Sequence, residues 1–173
     1  MNLETWELLS YLVTVIGLPL AIVVFVFEQR KERNNEEQEV YQLLSDNYQD
    51  FLRVALENPD LRLFTTAKTE QLDAIQRERM YIVFSMLISL FERAYLMLYN
   101  ENMSPMQLRR WRSWEDYMRE WCQRGDFRDS LAEQLGGEDP DFVAYLKQLA
   151  KEEAVRVRAG HGADVSGPNN MVS

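Results

Sequence analysis

Twenty consecutive residues, Leu8 to Phe27, read LLSYLVTVIGLPLAIVVFVF without one charged side chain. As a helix such a run rises about 30 Å, the thickness of a bilayer's hydrocarbon core. Core helices of water-soluble proteins rarely run this long with no charged face, so the segment is expected to span a membrane. Ser10 and Thr14 can bond back to their own helix, and membrane helices tolerate residues such as Gly17 and Pro19. Trp6 and Tyr11 lie near one end, where aromatic rings favour the headgroup region. A cleaved signal peptide would need a basic leading flank, a shorter apolar stretch and a small-residue cleavage site. The flank MNLETWE carries no Lys or Arg, EQRKER follows the span, and no A-x-A-like site lies between them. The segment is therefore read as an uncleaved anchor whose partner is the lipid bilayer. Arg30, Lys31 and Arg33 all follow it, so the positive-inside rule places the body in the cytoplasm of a single-pass inner-membrane protein. A single, unpaired Cys122 agrees with that compartment.

The body is expected to be all-α. Val40, Leu43, Leu44, Tyr48, Phe51, Leu52, Ala55 and Leu56 recur at helical steps. The charged stretch EQRKERNNEEQE ahead of them reads as a solvated extension of the membrane helix. Asn58-Pro59-Asp60 stops this helix, because the residue before proline avoids the helical region. A second helix is expected from about Thr69 to Tyr99. Its middle, Met80 to Phe91, is uncharged for 12 residues, too short for a second span, and reads as a central helix buried on several faces. Ser104-Pro105-Met106-Gln107 has the chemistry of a helix start, and that helix should reach Arg124 with Leu108, Trp111, Trp114, Met118 and Trp121 on one apolar stripe. Gly125 should end it, with Asp126 capping a short helix to Leu135 and Asp139-Pro140 opening the last one. The expected organisation is an N-terminal anchor over residues 1–27, a cytoplasmic four- to five-helix bundle over 28–158 and a loose tail over 159–173.

Candidate chemistry is sparse. The chain has 173 residues and a net charge of −9, which disfavours broad nucleic-acid binding. One His and one Cys leave no basis for a multi-histidine or cysteine metal site, and no cofactor motif is present. Between Arg109 and Arg124, aromatics alternate with five arginines. Arg109, Arg110 and Arg112 are candidates for phosphate or RNA contact, set against the simpler reading that the tryptophans pack in the core. In that reading Arg112 with Asp116, Glu115 with Arg119 and Glu120 with Arg124 pair along the helix surface. Cys122, next to Trp121, reads as a small buried residue rather than a nucleophile.

Arg156 and His161 fit Arg-x-x-x-x-His, the signature of the HEPN superfamily of helical-bundle domains, many of them ribonucleases. Metal-independent RNA cleavage needs a group that titrates near neutrality and a cation to meet developing phosphate charge, which His and Arg supply. Val157 stands where active members often carry a polar residue, and Gly160 and Gly162 flank His161, which points to a degenerate motif. One span, a helical body of this size and this motif near the end together resemble the membrane accessory family of type VI-B CRISPR systems. The resemblance implies a HEPN-like bundle, homo-oligomers forming a membrane pore, and a role beside an RNA-guided effector in antiviral defence, with Leu8 to Phe27 lining or surrounding the pore. Two other functions are open at this level: a HEPN-type ribonuclease at the membrane using Arg156 and His161, and a non-enzymatic membrane adaptor for a protein partner.

Overall fold

The computed structural model describes the backbone of residues 3–65 and 68–164 and the side chains of 15–33, 35–65 and 68–159. Five α-helices and one short 3₁₀ turn, with no strand, make up the described residues: α1 (Leu3–Glu57), the turn Pro59–Leu61, α2 (Ala74–Leu98), α3 (Pro105–Cys122), α4 (Gly125–Gln134) and α5 (Pro140–Asp164). The chain divides into two compact units, Met1–Gln42 and Leu43–Ser173.

In the first unit α1 runs through Pro19 without a break. The charged stretch from Glu28 is helical too, as the reading of a solvated extension requires. In the second unit the last turns of α1 bury Leu44, Tyr48, Phe51 and Ala55, and the helix stops at Glu57, ahead of Pro59.

The start of α2 departs from the sequence pattern by five residues. The helix begins at Ala74 rather than about Thr69, with Asp73 as N-cap: the Asp73 carboxylate accepts from Gln76 N at 2.8 Å, and Gln76 Oε1 accepts from Asp73 N at 3.0 Å. That reciprocal pair satisfies two end groups at once, which outweighs the helical tendency of the residues before it. Residues 68–72 instead form a connection in which Gln71 has φ of 62°, a left-handed conformation that interrupts a helix. The middle of α2 is also less enclosed than its composition implies. Met80, Val83, Phe84, Leu87, Ile88, Leu90, Phe91 and Ala94 are buried, while Tyr81, Ile82, Met86, Leu96 and Met97 face outward. Among the described residues α2 is the one helix long and apolar enough to cross a membrane, and its inner face forms the core of the bundle.

The capping box expected at Ser104 and Gln107 is present, with Pro105 in the first turn of α3. Of its expected stripe Trp111, Trp114, Met118 and Trp121 are buried and Leu108 is half-buried, with Cys122 buried beside them. Trp121 is the hub of one aromatic cluster, with ring centroids 5.5 Å from Phe51, 6.3 Å from Phe84 and 6.1 Å from Phe127. Trp111 anchors a second, 5.8 Å from Tyr95 and 5.6 Å from Tyr145. The α3–α4 junction is tighter than expected: Gly125 begins α4 rather than ending α3, and its N-cap is Arg124. Asp139 Oδ1 accepts from Phe142 N at 3.0 Å, opening α5, which buries Phe142, Leu146, Leu149 and Ala150. This helix continues to Asp164, past Gly160.

Candidate functional site

Of the apolar segment Leu8–Phe27, the side chains up to Thr14, Leu8 among them, lie outside the described residues. Those from Val15 onward are described. Val15, Ile16, Leu18, Leu20, Ile22, Val23, Val24, Phe25, Val26 and Phe27 are all exposed, from 40% to 69%. Pro19 is exposed as well, and Gly17 is half-exposed. Among the described residues none covers a large apolar side chain of this stretch. A helix apolar all round and uncovered all round is stable where lipid, rather than water, meets its side chains.

Arg156 lies in α5 with its side chain 66% exposed, and its Nη1 donates to Glu153 Oε1 at 2.9 Å. Glu153 is itself buried, and the same oxygen accepts from Arg119 Nη1 at 3.1 Å. Arg119 further donates from Nε to Glu115 Oε1 at 2.8 Å and from Nη1 to Glu152 Oε2 at 2.8 Å. This α3–α5 cluster therefore holds three carboxylates and two guanidiniums. Burial by itself would lower Arg119, but the carboxylates of Glu152, Glu115 and Glu153 hold it above its usual value. In turn Arg119, and then Gln148, keep the Glu152 carboxyl below the usual carboxylate range. The arrangement is a staple between two helices. Arg156 joins it at the exposed edge, through the one bond to Glu153. The His161 backbone belongs to α5; its side chain lies outside the described residues.

Arg109 and Arg112 are exposed on α3, one turn apart, while Arg110 is half-buried, with Nη2 3.7 Å from Met106 Sδ. Of the three expected surface pairs, Glu115 with Arg119 forms, at 2.7 Å. Arg124 does not pair with Glu120. It is 2% exposed, and its Nε and Nη2 donate to Asp126 Oδ1 at 2.6 Å and Oδ2 at 2.8 Å. Its Nη1 donates to the carbonyls of Arg62 at 2.5 Å and Thr65 at 3.0 Å, and its Nη2 to Thr69 Oγ1 at 2.8 Å. One guanidinium thus ties the α1–α2 connection to the α3–α4 junction, and the helix turn at Gly125 is what turns it inward.

Cys122 is buried as expected. Burial, then the neighbouring Glu153 charge, pushes its thiol up to about 12. Thiolate at pH 8 is consequently about three orders of magnitude scarcer than for a free cysteine. Alkylation of Cys122 by iodoacetamide at pH 8 should be at least ~100-fold slower in the folded full chain than in urea. A comparable rate in both states would contradict the burial.

Three polar side chains are buried among the described residues: Arg124, which spacing put on the surface, and Gln134 and Glu153, which sequence reasoning passed over. Both of the latter carried a visible signal. Glu153 continues the stripe Leu146, Leu149, Ala150, and Gln134 continues Phe127, Leu131, so each is a polar residue at the next inward position of an apolar face.

Among the described residues no cluster of His, Cys, Asp and Glu is arranged to hold a metal ion. The class defined by the fold is an all-helical bundle with one uncovered apolar helical segment. No family model, curated protein or solved structure matches the chain.

Proposed function

We propose that this chain is a single-pass inner-membrane protein whose cytoplasmic helical domain works by assembling with copies of itself, not by catalysis. The observation that carries the reading is the exposure of every large apolar side chain from Val15 to Phe27. Moving each such Leu, Ile, Val or Phe into a bilayer centre contributes roughly −0.3 to −0.6 kcal/mol, and ten of them favour insertion decisively. Arg30, Lys31 and Arg33 follow directly and are exposed, which supports a cytoplasmic body. The outward side of α2, with Ile82, Met86, Leu96 and Met97 uncovered, supports self-assembly. The layout, with Arg156 and His161 at the end, supports the finer reading of a HEPN-like membrane pore or effector accessory in RNA-guided defence. The ribonuclease reading has weaker support, because Arg156 is bound to Glu153 in an acidic setting.

Membrane fractionation tests the reading. The full chain should stay with membranes through an alkaline carbonate wash, and a chain beginning at Glu28 should move to the supernatant. Light scattering in mild detergent should give a protein mass of at least twice 20.5 kDa. Carbonate release of the full chain would overturn the anchor, and a strictly monomeric species would overturn the assembly.

A further inference from the structure

Ile75, Glu78, Ile82, Met86, Arg93 and Leu96 of α2 follow one another at steps of three, four or seven residues, and all are exposed. Residues at such steps share one side of a helix, here over about 30 Å. The bundle that buries the opposite side of α2 leaves this seam open.

The charges of α2 have a symmetry that a second copy can use. Glu78-Arg79 and Glu92-Arg93 repeat one pair on either side of the uncharged stretch Met80 to Phe91. When α2 lies antiparallel on a second α2, with a two-fold axis between Ser85 and Met86, every Glu meets an Arg. Glu78 then faces Arg93, Arg79 faces Glu92, and symmetry repeats both pairs across the axis. The same register sets Ile75 against Leu96. A parallel pairing in register would set Glu against Glu and Arg against Arg.

Two of these four charges are engaged within the chain. Arg79 pairs with Asp60, and Glu92 Oε1 accepts from Asp139 N at 2.6 Å. Glu78 and Arg93 have no partner among the described residues. Asp50, which lines a groove with Arg93, is taken by Arg53 at 2.7 Å. A free charge toward each end of an apolar seam disfavours lipid as its cover and suits a partner that brings the opposite sign to each.

We propose that the outward side of α2 is a two-fold, antiparallel interface with a second copy of this chain, in which Glu78 of each copy pairs with Arg93 of the other. The interface rests on the self-assembly proposed above and specifies its geometry. In mild detergent, Glu78→Arg or Arg93→Glu in the full chain sets like charges together twice in each pair of copies. Either should weaken association by roughly tenfold or more, read by energy transfer between labelled copies. Both residues are exposed, so the parent's helical circular dichroism should be kept. The two variants mixed in equal amounts should regain the wild-type affinity, because each then meets its opposite sign, and the double variant should regain it as well.

A second measurement leaves the charges intact. Met86→Cys lies beside the axis, and a short bifunctional maleimide should join two copies there. In Leu96→Cys the two thiols would stand about 30 Å apart, beyond its reach. The native Cys122 is buried. Association that persists in both single variants, as lipid or an unrelated protein on the seam would allow, overturns this interface and leaves self-assembly standing. Single variants that stay apart when mixed, or equal cross-linking at the two positions, overturn it too. A monomeric wild-type chain removes self-assembly itself, and the interface with it.

Discussion

Arg124→Ala is expected to destabilise the helical domain by about 3–5 kcal/mol, because it strands a partly buried carboxylate and several backbone acceptors together. Asp126 is 12% exposed, and both its oxygens are held by Arg124. With the guanidinium gone, that carboxylate faces a low-dielectric interior without its counter-charge, and the carbonyls of Arg62 and Thr65 lose their shared donor. Arg62 itself has φ of 47°, a left-handed conformation that the surrounding bonds must hold in place. Thermal unfolding of the full chain in detergent, followed by far-ultraviolet circular dichroism, should show a midpoint about 10 °C lower. Arg124→Lys should recover only part of the loss, since an ammonium cannot match two carboxylate oxygens and two carbonyls in one plane. A shift of less than about 1 kcal/mol for Arg124→Ala would sink the idea that this residue clamps the connection.

Trp121→Ala is the second large effect, also about 3–5 kcal/mol, and its cause is different. The indole is 3% exposed and meets Phe51 of α1, Phe84 of α2 and Phe127 of α4, while its Nε1 approaches Tyr48 Oη at 3.5 Å. Deleting it opens a void touched by four helices, and close-packed interiors relax only partly into such voids. Trp121→Phe should cost less, because a ring remains to meet the same neighbours edge-on. Urea denaturation of the full chain in a mild detergent measures both variants. An alanine variant within 1 kcal/mol of the parent would mean that the bundle closes over the site. Total stabilities of domains lie near 5–15 kcal/mol, so either alanine substitution removes a large share.

The two sites share a place in the architecture. Trp121 lies in the last turn of α3 and Arg124 three residues on, at the N-cap of α4, one turned toward the aromatic core and the other toward the α1–α2 connection. A cavity beside Gln134 is bounded by that same connection and by α4, which Arg124 caps. A weakened Arg124 clamp should therefore loosen the cavity mouth before the bundle as a whole, and hydrogen exchange at Thr69 N, which donates to Asp126 Oδ2, is the local reporter.

Much of the helical layout was legible in residue spacing. The stop before Pro59, the capping box at Ser104, the opening at Asp139-Pro140 and the buried tryptophan stripe follow from interactions within three or four residues along the chain. Local chemistry decides such features, so the sequence contains them. The uncharged run Leu8–Phe27 is of the same kind, since its length and composition alone make it a candidate span. The sites were not legible in this way. Helical spacing made Arg124 a surface partner of Glu120, yet Gly125 starts a new helix, and that change of direction buries the guanidinium against Asp126 and a connection some sixty residues away in sequence. The Arg-x-x-x-x-His spacing gave no sign that Arg156 shares a Glu153 oxygen with Arg119 of α3. Gln134 drew no notice in the sequence, and only the approach of α2 gives its amide a partner, the Tyr81 carbonyl. Sequence by itself determined where helices begin and which faces are apolar, because those depend on neighbours in the chain. Tertiary structure decided which polar groups are buried and which partners they find, because those depend on residues that meet only when the helices pack.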